Sequence, residues 1–159
     1  MKHVLSIALL CASLTAHAAK WAGTVVAISD GDTLTVLNDH KKQVKIRLVE
    51  IDAPESKQAF GKQSKESLAD LCFKKRAIVD DRGQDRYKRT LGRVQCDGVD
   101  ANAEQVRRGM AWAYRRYLKD PDIAELEEQA KSSRAGLWTD ENPMAPWEFR
   151  HPHKSSRQE

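Results

Sequence analysis

The amino-acid sequence predicts an α+β fold, a small closed or nearly closed five-stranded β-barrel with about three α-helices, on three observations. Apolar runs broken by turn residues fill the first half of the chain. A helical pattern interrupts them after the third run, and helical patterns dominate beyond the fifth. The chain has 159 residues, 40% hydrophobic and 31% charged, which is sized for one domain with one core.

The elements follow in order. Residues 1–18, "MKHVLSIALLCASLTAHA", carry Lys2, an apolar run from Val4 to about Leu14, and small residues at Ala16 and Ala18, the pattern of a signal peptide cut near Ala18. The run is too short to cross a bilayer, and no later segment is apolar enough to do so. Leu10 precedes Cys11 where lipid attachment asks for a small residue. The expectation is therefore soluble export, periplasmic or secreted, with no membrane association after cleavage and a monomer as the default.

"WAGTVVAI" and "TLTVL" read as strands around the turn "SDGD", where Asp-Gly readily takes the positive φ angles of a tight turn. "NDHKK" makes a second turn, and "QVKIRLVEI" is a third strand with Val44, Ile46 and Leu48 on one face and Arg47 on the other. A cation inside an apolar strand asks for an anionic partner or a route to water. "KQAFGKQSKESLADLCF" turns helical, with Phe60, Ser64, Ser67, Leu68 and Leu71 near helical spacing and Gly61 weakening its first turn. "RAIVDD" and "LGRVQC", separated by the polar loop "RGQDRYKRT", complete the five strands.

"DANAEQVRRG" is a short helix ending at Gly109. Asp120 then caps a helix with Pro121 in its first position, Ile123, Leu126 and Ala130 on its inner stripe, and Gly136 as its stop. One domain thus runs over 19–140, and 141–159, with three prolines, is expected to be an irregular tail. Five strands with a helix inserted after the third suggest an OB-fold-like barrel.

Removing the leader takes one lysine and no acid from 27 basic and 23 acidic residues, leaving a net charge of +3. That mild excess suits a polyanionic partner, and equally a solvated surface. "RRGMAWAYRRYLK" interleaves Arg107, Arg108, Arg115, Arg116 and Lys119 with Trp112, Tyr114 and Tyr117. It is either a stacking and phosphate-binding surface or core aromatics beside surface arginines. Cys72 and Cys96 are an even pair in an exported chain, which favours a disulfide over two buried thiols. Closing that loop would stabilise the fold by roughly 3.5 kcal/mol on the chain-entropy account.

None of the five histidines sits in a plausible core or cleft: His3 and His17 are in the leader, His40 in a turn, His151 and His153 in the tail. Histidine-based triads and histidine-ligated zinc are poorly supported. Carboxylates cluster at strand ends instead, Asp30 and Asp32 at the first turn, Asp52 and Glu55 beyond the third strand. Brought together they repel unless a cation lies between them, and oxygen ligands on turns suit calcium. An EF-hand is excluded, since Gly31 as sixth loop residue puts Val26 first and Leu37 twelfth, where acids are required. Arg47 and Arg89 add guanidinium forks that match phosphodiester oxygens, although either taken singly reads as a surface ion pair.

"DGDT" at Asp30–Thr33, "IRLVEIDAPE" at Ile46–Glu55, "DRYKRTLGRV" at Asp85–Val94 and "DANAEQVRRGMA" at Asp100–Ala111 together closely resemble the staphylococcal nuclease (thermonuclease) family, over about Trp21 to Trp138. The resemblance implies a calcium-dependent phosphodiesterase on a five-stranded barrel with three helices, cutting DNA and RNA to leave 3′-phosphate ends. It implies metal binding by Asp32, Asp52 and the backbone carbonyl of Ala53, which stands where the family has threonine. Glu55 matches the glutamate proposed to activate water, and Arg47 and Arg89 the phosphate-binding arginines. Tyr87 matches a nucleotide-contacting tyrosine, and a second corresponds to Tyr114 or Tyr117. Lys88 replaces a common glycine, adding a charge that suits the substrate. The loop after Glu55 is shorter than in the family's best-known member. The rival reading, a non-catalytic nucleic-acid-binding module on the same barrel, should have lost some of these side chains, whereas Asp32, Asp52, Glu55, Arg47 and Arg89 are all in place.

Overall fold

The computed structural model describes residues 20–151; the signal-peptide pattern and His153 lie outside them. In chain order the elements are β1 (Lys20–Ile28), β2 (Thr33–Asn38), β3 (Gln43–Leu48), β4 (Ile51–Asp52), α1 (Gly61–Cys72), β5 (Arg76–Gln84), β6 (Thr90–Cys96), β7 (Val99–Asp100), α2 (Ala101–Arg107), β8 (Trp112–Ala113), α3 (Pro121–Ser132), a 3-10 turn (Gly136–Thr139) and α4 (Pro146–Arg150).

Five of the strands close into the expected barrel, in the order β3-β2-β1-β5-β6, with β6 returning to β3. Neighbours are antiparallel except at that closure, where β3 and β6 run parallel with Ile46 opposite Thr90 and Leu48 opposite Gly92. Register breaks in β1 between Val25 and Ala27, and in β5 between Asp81 and Gln84, supply the extra bend that a sheet this small needs to curl shut. Val25, Leu34, Val36, Ile46, Leu48, Val79 and Val94 are fully buried. Leu68 and Leu71 of α1, Val106 of α2 and Ile123 of α3 extend the same continuous core. Cys72, the last residue of α1, is bridged to Cys96, the last residue of β6, pinning the helix to the barrel.

Helix boundaries follow local chemistry. Asp100 and Asp120 cap α2 and α3 by accepting from Ala103 and Asp122 N–H groups, and Pro121 opens α3. The structure differs from the sequence reading at several boundaries. The third strand, read through Ile51, ends at Leu48, because Glu50 at φ 68° breaks the extended backbone and leaves Ile51 to the separate strand β4. β5 runs on to Gln84, into the stretch read as a loop. α1 starts only at Gly61, after Phe60 in a left-handed conformation at φ 65°. α3 ends at Ser132, with Arg134 already at φ 52°, and Gly136 opens the following 3-10 turn instead of stopping the helix. The stretch from 141, read as irregular, contains α4, because Pro146 starts a turn whose apolar side packs on the domain.

Candidate active site

The turn between β1 and β2 and the end of β3 build one side of a compact charged cluster. Asp30 Oδ1 accepts from the Asp32 N–H at 3.1 Å, an Asx turn that sets the direction of the following acid. Gly31 lies so close to α1 that a Cβ there would run into the Ser64 hydroxyl. Asp32 therefore points inward, 6% exposed, with Ala53 N–H donating to its Oδ2 at 2.7 Å and Thr33 Oγ1 to its Oδ1 at 3.2 Å.

Arg47 joins the two acids. Its Nη2 lies 3.2 Å from Asp32 Oδ2 and 3.0 Å from Asp52 Oδ1. Its Nη1 donates to the carbonyls of Leu48 and Ile51 at 2.7 and 3.0 Å, so the fork is fixed by backbone as well as by charge. Asp52 is 1% exposed. Burial pushes the Asp32 carboxyl up to about 7, with Arg47 pulling against it and Asp30 and Asp52 reinforcing it.

Glu55, three residues beyond Asp52, is half-exposed and reaches the cluster through Arg150 of α4. That guanidinium contacts Asp52 Oδ2 at 2.6 Å and Glu55 Oε1 at 2.7 Å. Among the described residues, no group of three or more His, Cys, Asp or Glu side chains gathers as a metal site. The cluster offers two buried carboxylates on one arginine nitrogen, with a third acid across a second arginine.

The other arginine expected here is engaged within its own loop. Arg89 precedes β6 and pairs with Asp85, its Nε donating to Oδ2 at 2.7 Å, rather than with Asp32 or Asp52. Desolvation works to raise the Asp85 carboxyl, but hydrogen bonds from the Arg89 side chain and from the Arg89 and Tyr87 N–H groups, with the Arg89 charge, hold it below its ordinary range. Tyr87 at the tip of this loop is 64% exposed, with the Arg86 and Arg89 guanidinium groups 4.8 and 5.5 Å from its ring centre. Lys88 occupies the left-handed region at φ 62°, so the loop keeps a glycine-like backbone despite the substitution.

In the basic and aromatic stretch, several of the arginines are paired with acids and the aromatics are half-buried or exposed. Arg107 and Arg108 pair with Glu104, Arg108 also with Asp70, and Arg115 with Glu127 and Glu128. Tyr114 stacks on Trp147 with ring centres 5.6 Å apart and planes 4° from parallel. Tyr117 stands edge-on to Tyr114 and is more than half exposed.

Several supports of the cluster come from residues distant in sequence. Gln105 on α2 is fully buried and donates to the carbonyls of Gly31 at 2.7 Å and Ser64 at 3.1 Å. Asn102, one helical turn earlier, accepts from Val94 N–H and donates to the Val49 carbonyl at 2.8 Å. One helix thus fixes both the Asp32 turn and the strand end that leads to Asp52. Glu50, held at φ 68°, accepts from the N–H groups of Lys119 and Asp120 and ties that strand end to the α3 cap. The available signal was polar side chains at three-residue spacing on the inward face of a short helix. Arg150 and Trp147 carry no such signal, because their short helix lies between turn residues near the end of the chain.

The comparisons agree with this architecture. A family model described as "Staphylococcal nuclease homologue" matches residues 45–140. An "Uncharacterized endonuclease" of Haemophilus influenzae is 48% identical over 130 residues, covering 82% of this chain and 73% of the relative. "Protein ParB" of Escherichia coli is 41% identical over 170 aligned positions, covering 98% and 96%. The "Micrococcal nuclease" of Shigella flexneri is 43% identical over 149, covering 87% and 85%. A family match across more than half the chain, with relatives this similar along most of it, makes the chain a member of the staphylococcal nuclease-like family of nucleases.

Proposed function

We propose that this chain is a calcium-dependent phosphodiesterase that hydrolyses DNA and RNA by attack of water on the phosphodiester, leaving 3′-phosphate ends. The observation that carries the reading is the meeting of Asp32 and Asp52 on a single nitrogen of Arg47. The donor set fits a hard divalent ion: its ligands are all oxygens, both carboxylates are buried, and Asp32 is costly to ionise there without added positive charge. Asp32, Asp52 and the Ala53 carbonyl would hold the ion, which supplies Lewis-acid polarisation of a phosphate oxygen.

The chain's own residues account for the rest. Glu55, three residues beyond Asp52 and partly solvated, is the carboxylate that takes a proton from water, once its tie to Arg150 is released. Arg47, fixed by two carbonyls, offers a preorganised positive charge to the phosphate as negative charge builds on its oxygens. Arg89 brings a second guanidinium from the loop beside β3, and Tyr87, Lys88 and Tyr114 contact the nucleotide. The same reading includes export as a soluble monomer, periplasmic or secreted, and the Cys72–Cys96 bridge is in keeping with an oxidising compartment.

The test is incubation of purified protein with plasmid, single-stranded DNA and RNA, with calcium or with a chelator. Cleavage is expected only with calcium, and Asp52→Asn should lower it at least about a hundredfold while nucleic-acid binding persists. Cleavage undiminished by the chelator removes the metal assignment. Binding without cleavage by the unsubstituted chain would make it a binding module.

A further inference from the structure

Helix α4 delivers a cation to the cluster that neither the sequence motifs nor the reading above assigns a task. Arg150 grips Asp52 with both arms of its fork, Nη2 to Oδ2 at 2.6 Å and Nη1 to Oδ1 at 3.2 Å, and Nη1 continues to Glu55 Oε1 at 2.7 Å. Arg47 already holds Asp52 Oδ1 from the other side at 3.0 Å. The buried Asp52 carboxylate therefore carries three guanidinium contacts on two oxygens.

The placement of α4 is well anchored. Trp147 stacks on Tyr114 and stands edge-on to Trp112, Gln58 Nε2 donates to the Met144 carbonyl at 2.6 Å, and Ala145 and Pro146 are buried. A five-residue helix fixed at its start thus holds a long cationic side chain against two acids from the 52–55 segment. The Arg150 side chain is 35% exposed beside a shallow groove lined by Glu55, Ser56, Lys57 and Phe149, so it can turn away from the acids without disturbing its anchor.

A guanidinium and a divalent ion want the same carboxylate lone pairs and repel one another at that range. We propose that Arg150 is a tethered counter-ion that competes with the divalent cation for Asp52, and so sets the metal concentration at which the site fills. This rests on the metal-dependent reading above. When the cation enters, Arg150 leaves Asp52, and the anchored helix keeps it at the rim of the site.

The experiment is calorimetric titration of the whole protein with calcium, without nucleic acid, at low ionic strength. It compares the unsubstituted chain with Arg150→Gln, Arg150→Ala and Arg150→Lys, each checked for folding by circular dichroism. Removing the charge should tighten calcium binding about tenfold. Arg150→Lys, which keeps the charge and loses the fork, should fall between. The calcium concentration giving half-maximal cleavage should drop in parallel. Equal or weaker calcium affinity in both charge-removing variants overturns the proposal, as does the absence of calcium binding by every chain. Tighter binding in variants that still cut no nucleic acid would leave the counter-ion role standing and bring down the phosphodiesterase reading. Calcium-dependent cleavage with affinity indifferent to residue 150 would do the reverse.

Discussion

The two arginines that the family motifs pair as phosphate ligands sit in opposite surroundings. Arg47 lies in a strand, bonded to two carbonyls and two buried acids, and those acids are braced by side chains far away in sequence: Gln105 to Gly31, Asn102 to Val49, Glu50 to Asp120. Arg89 lies in a five-residue loop whose side-chain ties are local, Asp85 accepting from the N–H groups of Tyr87 and Arg89 and from the Arg89 side chain. The first arrangement is preorganised by the tertiary fold and resists change. The second is tied only within its own loop, so Arg89 can leave Asp85 without disturbing the barrel.

This contrast can be broken or sharpened experimentally. The largest effect is expected from Arg89→Ala, which should lower turnover about a hundredfold. Urea unfolding should register it only weakly, since the lost contact is one ion pair confined to a loop. A large loss of stability with intact turnover would invert the assignment of the two regions.

Asn102→Ala probes the braced side. It strands the buried Val94 N–H and the Val49 carbonyl, and should destabilise the fold by about 2 kcal/mol in urea titration. Activity of the folded fraction should fall as well, because the strand end leading to Asp52 loses its tether. Unchanged stability would mean that the helix contributes nothing to the preorganisation of the acids.

The smallest effect is a pH dependence confined to the loop. The Asp85 carboxyl lies below its ordinary 3.8 in the folded chain, so the folded state holds fewer protons than the unfolded state between the two pKa values. The loop tie is at full strength above 3.8 and is lost as the pH falls through the lowered value. Amide resonances of Tyr87 and Arg89 should shift over that acidic range, and Asp85→Asn should abolish the transition. A loop indifferent to Asp85 would contradict its dependence on local bonds.

Much of this molecule is legible from residue order. The alternation through "QVKIRL" places Ile46 and Leu48 in the core and Arg47 opposite, because strand geometry reverses side chains at each step. Asp120-Pro121 writes its own helix start, a capping carboxylate followed by a residue with no N–H to satisfy. Family motifs and strand-end positions point to the convergence of Asp32 and Asp52, and the barrel supplies it through the pairing of β2 with β3, Thr33 opposite Arg47. The end of the domain was harder to read. "PWEFR" is short and flanked by turn residues, and its helix depends on packing against Trp112 and Tyr114, which no local pattern announces.

The sequence by itself determined the alternating strands, the helix caps, the motif acids and the family, since these depend on neighbours within a few residues and on short motifs. Only the tertiary structure decided which charges meet. Arg47 bridges Asp32 to Asp52, Arg150 crosses from the last helix to Asp52 and Glu55, and Arg89 stays with Asp85. Ion pairing acts over a few ångströms in space and is blind to sequence distance, so partners 98 residues apart are chosen by the closure of the barrel and the docking of α4.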